Sequence, residues 1–254
     1  MPLATLLYDA PHSLNHQAYA PREMLMGHVN VDGTGVAWWP DPVEEPLRYV
    51  SERPPWSDPN LPALSRRLTA TMALAAVRSA SPDVPFGPAQ IAPFTYGGLA
   101  FAHNGWLGRF REATGRELAS RLPDHLYGAL NAVSDSLLVF LTLVRHLEER
   151  PEGGLAAALR STVTEVVGVC AHAGTFATLN LVVADGTRIV AVRTSHGTEG
   201  NNPLHLLQGG ERWPGGAVLA SEPLDDDSGW EAMADDHLLE LSADGATLSG
   251  LEVP

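Results

Sequence analysis

The chain has 254 residues, 44% of them hydrophobic, with 16 basic side chains against 30 acidic ones and a formal net charge of -14. That length suffices for a large buried core and is read as one continuous domain over residues 1–254. The negative charge argues against nucleic acid or an anionic membrane as partner, because both are met first through positive potential.

Every basic residue is arginine and there is one cysteine. This excludes Schiff-base lysine chemistry, a lysine-bearing phosphate loop, an internal disulfide and a thiolate zinc site, and no cofactor or metal is expected. No segment carries ~18 consecutive apolar residues and the first residues show no basic-then-apolar signal, so the expected location is the cytoplasm.

In chain order, apolar strand-forming runs fall at 35–39, 74–78 and 98–103, then at 177–184 and 187–194, then at 217–221 and 237–242. Asp185-Gly186 separates the middle pair and Ala243-Asp244-Gly245 follows the last run. Such residues tolerate the positive φ angles of tight turns, so both places read as hairpins. Helical periodicity covers 61–72, 111–121, 135–149 and 155–167. Repeated prolines make 40–62 a long irregular surface segment. Consecutive hairpins, rather than strict strand-helix alternation, favour an α+β fold of mainly antiparallel sheets with helices on their outer faces.

Four segments place polar groups or glycine at the end of an apolar run: "VNVDGTGVAWW" from Val29, "AAVRSAS" from Ala75, "FAHNGWL" from Phe101 and "VSDSLLVFL" from Val133. Arg78 follows a fully apolar stretch, which reads as a buried strand ending where a guanidinium needs an anion. Its fork suits a carboxylate, either a ligand's or a protein salt-bridge partner's. Asn104-Gly105 can supply two donors to an oxyanion, but read in isolation the pair favours a hairpin turn, because Asn-Gly is a preferred hairpin dipeptide. Asp135 is either a helix cap, beside Ser134 and Ser136, or a carboxylate for an ammonium.

His12 and His16 have helical spacing but lack the glutamate of a metalloprotease helix, and Asp225-Asp226-Asp227 lacks the alternation of a calcium loop. Together, Arg78, Asp135 and Asn104-Gly105 suit a γ-glutamyl amide, with the charged head clamped while the side-chain carbonyl is attacked. The missing component is the nucleophile. Cys170, in the apolar context "VVGVCAHAG", reads as a packed core residue.

At these motifs the sequence resembles the class II glutamine amidotransferases, which are N-terminal-nucleophile hydrolases. More narrowly, it resembles the γ-glutamyl-hercynylcysteine S-oxide hydrolases of ergothioneine biosynthesis, through "QAYAPREM" at Gln17, "NVDGTGVAWW" at Asn30, "AAVRSAS", "FAHNGWL", "SDS" and "LASEPLDDDSGWEAMADDHLLEL" at Leu219. The resemblance implies a four-layer αββα sandwich. It implies that Arg78 binds the glutamyl α-carboxylate and Asp135 the α-ammonium, and that Asn104 and the Gly105 N–H form the oxyanion hole. It also implies a small-molecule γ-glutamyl substrate with no obligatory protein partner.

Family members begin Met-Cys-Arg-His, and that cysteine is the nucleophile, whereas this chain begins Met1-Pro2-Leu3-Ala4. The expectation is therefore a translation start upstream of Met1 that restores the Cys-Arg-His strand. The alternatives are a glutaminase subunit that passes ammonia to a partner, or a catalytically dead γ-glutamyl-binding protein. On the leaving-group side, Trp38, Trp39, His103 and Trp106 offer aromatic faces to a quaternary ammonium, and the tryptophans equally suit a core.

Overall fold

The computed structural model describes residues 1–25, 27–41, 45–79, 87–198 and 200–253. Along the chain come α1 (Leu14–Tyr19), β1 (Thr34–Trp39), β2 (Leu47–Ser51), α2 (Leu61–Ser65), β3 (Met72–Val77), β4 (Phe94–Tyr96) and β5 (Leu99–Leu107). There follow α3 (Gly115–Ala119), α4 (Asp124–Gly128), α5 (Asp135–Glu149) and α6 (Gly154–His172). The rest is strands: β6 (Ala177–Ala184), β7 (Arg188–His196), β8 (His205–Gln208), β9 (Ala217–Ala220), β10 (Glu231–Ala232), β11 (His237–Ser242) and β12 (Gly245–Gly250).

A six-stranded antiparallel sheet, β12-β11-β7-β6-β5-β4, forms one layer, and two three-stranded sheets, β2-β1-β3 and β10-β8-β9, form the next. Strand alternation builds the sandwich. In β6, Leu179, Leu181 and Val183 enter the core shared with α5 and α6, while Val182 and Ala184 face the other sheets. In β1, Ala37 and Trp39 pack against Ala100 and Ala184 of the large sheet, whereas Val36 and Trp38 turn outward to Leu3, Leu7 and Leu61. Phe101 stacks on Phe140 of α5 at 5.1 Å. The order is therefore helix, sheet, sheet, helix, a four-layer αββα sandwich.

Among the described residues, one helix, spanning 151–172, has the length and apolarity to cross a membrane, and half of it is buried against this core. It packs on β6, β7, β11 and α5, so its apolar character serves the sandwich.

Several elements depart from the expected bounds. The helix expected over 61–72 stops at Ser65, and Met72 already opens β3. The stretch 40–62 carries β2, which pairs with β1 from Thr34↔Ser51 to Trp38↔Leu47; residues 42–44 lie outside the described residues. β3 was expected to be buried, yet every residue in it is only partly covered, because it is a sheet edge that walls a cleft.

Candidate functional site

The N-terminus of α5 fixes the first functional group. Ser134 caps the helix, its Oγ accepting from the Leu137 N–H at 3.3 Å, which leaves the Asp135 carboxylate for other work. Asp135 Oδ1 accepts from its neighbour's Ser136 N–H at 2.8 Å, and Oδ2 accepts from the Leu107 N–H of β5 at 3.0 Å. One carboxylate thus ties a helix start to the strand that carries Asn104 and Gly105. Beside it, His103 Nε2 lies 2.9 Å from the Thr178 carbonyl and Nδ1 3.1 Å from Ser136 Oγ. A carbonyl only accepts, so Nε2 bears the proton.

Asn104-Gly105 is not a turn. Both residues lie inside β5, paired with Asn180 and Leu179 of β6. Local Asn-Gly preference loses here to a long antiparallel ladder. β4 covers only Leu99 to Phe101 of β5, and beyond them the Leu107 N–H points to the open side, where Asp135 meets it. Backbone N–H groups alternate sides along a strand, so the Gly105 N–H points to that same open side. Glycine is needed by close approach rather than by φ. A Cβ at Gly105 would lie 2.0 Å from the Thr178 carbonyl oxygen and 2.7 Å from His103 Nε2.

Arg78 continues the β1–β3 ladder past its end: its N–H donates to Gly33 O at 2.9 Å and its carbonyl accepts from the Asp32 N–H at 2.9 Å. Burial pulls the guanidinium pKa down, and the charges of Asp32 and Asp135 push it back up. The guanidinium and the Asp135 carboxylate therefore act on each other across one space. That space is a cleft of about 1680 Å³ lined by Arg78, His103, Asn104, Gly105 and Asp135 together. Its walls are β3 and β9, each the terminal strand of its sheet. The volume exceeds the roughly 300–1,000 Å³ usual for a pocket that holds one small ligand.

A guanidinium, a helix-start carboxylate and the Asn104-Gly105 stretch of a strand line one cleft of an αββα sandwich. The family description "Glutamine amidotransferases class-II" matches residues 8–208. The chain belongs to the class II glutamine amidotransferase family. It is 34% identical over 250 residues to the gamma-glutamyl-hercynylcysteine sulfoxide hydrolase of Mycobacterium tuberculosis (strain ATCC 25618 / H37Rv), covering 98% of this chain and 92% of that protein. It is equally 34% identical, over 240 residues, to the protein of the same name from Mycolicibacterium smegmatis, covering 94% and 90%. The fold matches a glutamine aminotransferase class-II domain protein from Silicibacter pomeroyi with TM-score 0.68 at 25% identity, covering 87% of this chain and 92% of that one.

Within this class II amidotransferase the remaining expected residues separate. Cys170 is fully buried in α6, and burial, followed by the charge of Asp135, raises its thiol pKa to about 11. It is a core residue without the thiolate that a nucleophile needs. Trp38 and Trp39 are also buried, in the outer and inter-sheet cores respectively, which removes both from the leaving-group side. His103 and Trp106 do line the cleft, with Trp106 tilted against Phe176 at 5.7 Å between ring centroids.

His12 pairs with Asp226 at 3.2 Å and sits edge-on to His16. Asp225 and Asp227 fold their own turn, accepting from Trp230 Nε1 at 2.9 Å and from the Gly229 N–H at 2.8 Å. Among the described residues no group of three or more His, Cys, Asp or Glu side chains is arranged to hold a metal.

Sequence reasoning missed Glu222. Its buried carboxylate accepts from the Arg22 N–H at 2.8 Å and the Glu23 N–H at 3.1 Å, latching the "APREM" loop to the "ASEPL" segment. Glu23, also in the cleft, pairs with His205 at 2.8 Å. The quoted blocks held both partners of this latch, but a separation of 199 residues left no local pattern to join them.

Proposed function

We propose that this protein hydrolyses the γ-glutamyl amide of γ-glutamyl-hercynylcysteine S-oxide to glutamate and hercynylcysteine S-oxide, as a single domain without an obligatory partner. The observation that carries the reading is the convergence of Arg78, Asp135 and the Asn104-Gly105 edge on one cleft. In this reading Arg78 grips the α-carboxylate with its fork and Asp135 the α-ammonium, so binding energy from the glutamyl head places the γ-carbonyl. The Asn104 side-chain amide and the Gly105 N–H then donate to the oxygen as it becomes an oxyanion. The relatives' names supply the leaving group, and their near full-length match supports a stand-alone hydrolase.

The nucleophile is assigned to a cysteine on a strand seated between β3 and β9. Two observations favour that seat. Among the described residues both strands end their sheets, and both present apolar, partly exposed residues to the cleft. The chain also enters beside β3 already in antiparallel register, with Pro2↔Thr69 bridged, the Met1 amine donating to Ala70 O at 2.7 Å and the Ala70 N–H donating to Met1 O at 2.9 Å. Continued upstream, that register runs along β3 and reaches Arg78 after about eight residues. A thiol at that end would stand beside the glutamyl clamp, its terminal amine serving as base.

The test is incubation of the purified protein, with and without a cysteine-led extension upstream of Met1, with γ-glutamyl-hercynylcysteine S-oxide and with glutamine. The reading expects stoichiometric glutamate release from the sulfoxide by the extended protein alone. Release from glutamine only, or from neither, contradicts it.

A further inference from the structure

We propose that Asn202 is a positioning residue that sets which end of the Asn104 carboxamide faces the reacting carbonyl. The inference rests on the oxyanion role given to Asn104 above and adds the device that fixes its polarity. Asn202 Nδ2 donates to Asn104 Oδ1 at 2.8 Å, and Asn202 Oδ1 accepts from the Leu25 backbone N–H at 3.3 Å.

The chain of donors has one possible direction. A backbone N–H can only donate, so the atom of Asn202 that faces Leu25 is its oxygen. The opposite end of the same planar amide is then the NH2, and the atom of Asn104 facing it must accept. Asn104 therefore spends its oxygen on Asn202 and keeps Nδ2 for another partner. An oxyanion needs that arrangement, because the reverse orientation would set a carbonyl oxygen against developing negative charge.

The anchor is built to hold. The Asn202 carbonyl accepts from Asn180 Nδ2 at 2.7 Å and from Arg193 Nε at 3.1 Å, so its backbone is pinned to β6 and β7 independently of its side chain. Leu25 in turn lies just beyond the Arg22 and Glu23 N–H groups held by Glu222. The latch on the 22–25 loop and the polarity of the oxyanion donor are thus links of one chain.

Two variants separate positioning from structure. In Asn202→Asp both terminal atoms are oxygens. The Leu25 N–H keeps its partner, but an acceptor now faces Asn104 and draws its NH2 away from the carbonyl. In Asn202→Ala the Asn104 amide is merely released. For γ-glutamyl hydrolysis by the cysteine-extended protein, Asn202→Asp is expected to lower kcat about 100-fold and Asn202→Ala about 10-fold, with KM changed less than about threefold, since losing one oxyanion donor commonly lowers kcat by 10²–10³. A purely structural role predicts the reverse order, because aspartate is nearly isosteric and alanine leaves a hole.

A second readout needs no turnover. The side-chain amide resonances of Asn104, identified by their loss in Asn104→Asp, are expected to move downfield in Asn202→Asp as they bond the new carboxylate, with little change in Asn202→Ala. Unchanged Asn104 resonances in Asn202→Asp overturn the inference, as does a wild-type kcat in that variant. If the extended wild-type protein releases no glutamate, the reading of function fails while the resonances still decide the polarity of Asn104.

Discussion

The Leu107 N–H donates to Asp135 Oδ2 at 3.0 Å, which binds the first residue of α5 to the strand that carries Asn104 and Gly105. The proposed glutamyl clamp and the proposed oxyanion edge are therefore tied together, and moving either moves the other. Asp135 reports on this coupling because its charge also reaches Arg78 and Cys170.

Asp135→Asn keeps a group of the same shape at the helix start but removes the anion offered to an ammonium. Glutamate affinity, measured by calorimetry, is expected to fall by about 2–5 kcal/mol, the range for truncating one side of a desolvated charge pair. Unaltered affinity would detach Asp135 from the ammonium.

Arg78→Lys retains a positive charge and loses the fork. Glutamate binding is expected to weaken roughly tenfold, with thermal stability little changed, because a point charge cannot reproduce bidentate geometry. Wild-type affinity in this variant would place the α-carboxylate elsewhere.

Gly105→Ala puts a methyl group against the Thr178 carbonyl. Overpacking of this kind costs about 1–3 kcal/mol or more, and the strain falls on the edge proposed to bear the oxyanion donor. Urea unfolding is expected to show a lower midpoint, together with loss of hydrolysis by the cysteine-extended protein. Full stability and full turnover would mean that the close approach has no consequence.

Glu222→Ala removes the acceptor shared by the Arg22 and Glu23 N–H groups. A loss of about 1.5–3 kcal/mol in unfolding free energy is expected, and less in Glu222→Gln, whose amide oxygen still accepts. Equal stability of Glu222→Ala and wild type would show that the loop is held by other means.

Cys170 gives a pH signature. Its folded pKa, about 11, lies above the ordinary thiol value of 9.0, so the folded state holds the proton more tightly. The resulting stability is complete below the ordinary thiol value and is lost as pH rises through the folded one, a change on the order of 2–3 kcal/mol. Denaturation measured across that interval should show wild type losing more stability than Cys170→Ala. Parallel curves would contradict the buried neutral thiol.

How far the sequence foretells this molecule depends on whether a feature is local. The helix at Asp135–Glu149 and the strand at His237–Ser242 fall where expected, because the cap, the periodicity and the turn residues all lie within the segment. The hairpin at Asp185-Gly186 is equally local: Asp185 Oδ1 accepts from the Thr187 and Arg188 N–H groups at 2.9 Å. β2, β4 and β8 escaped notice because short strands beside proline or glycine carry little alternation of their own.

Asn104-Gly105 is the instructive case, since its turn preference is local while its β6 partner lies more than seventy residues away. That Arg78, Asp135 and Asn104-Gly105 belong to one place was legible by residue type, and the structure lines one cleft with them; the roles the resemblance implies for them are part of the proposal. Asn202 and Glu222 were not legible, because each acts through a backbone N–H whose position only the folded chain creates.

The most direct measurement is a crystal structure of the cysteine-extended protein with glutamate bound. The account predicts the α-carboxylate on the Arg78 guanidinium, the α-ammonium on Asp135, and a γ-carboxyl oxygen between Asn104 Nδ2 and the Gly105 N–H. Glutamate bound in the opposite direction, or away from this cleft, would contradict it.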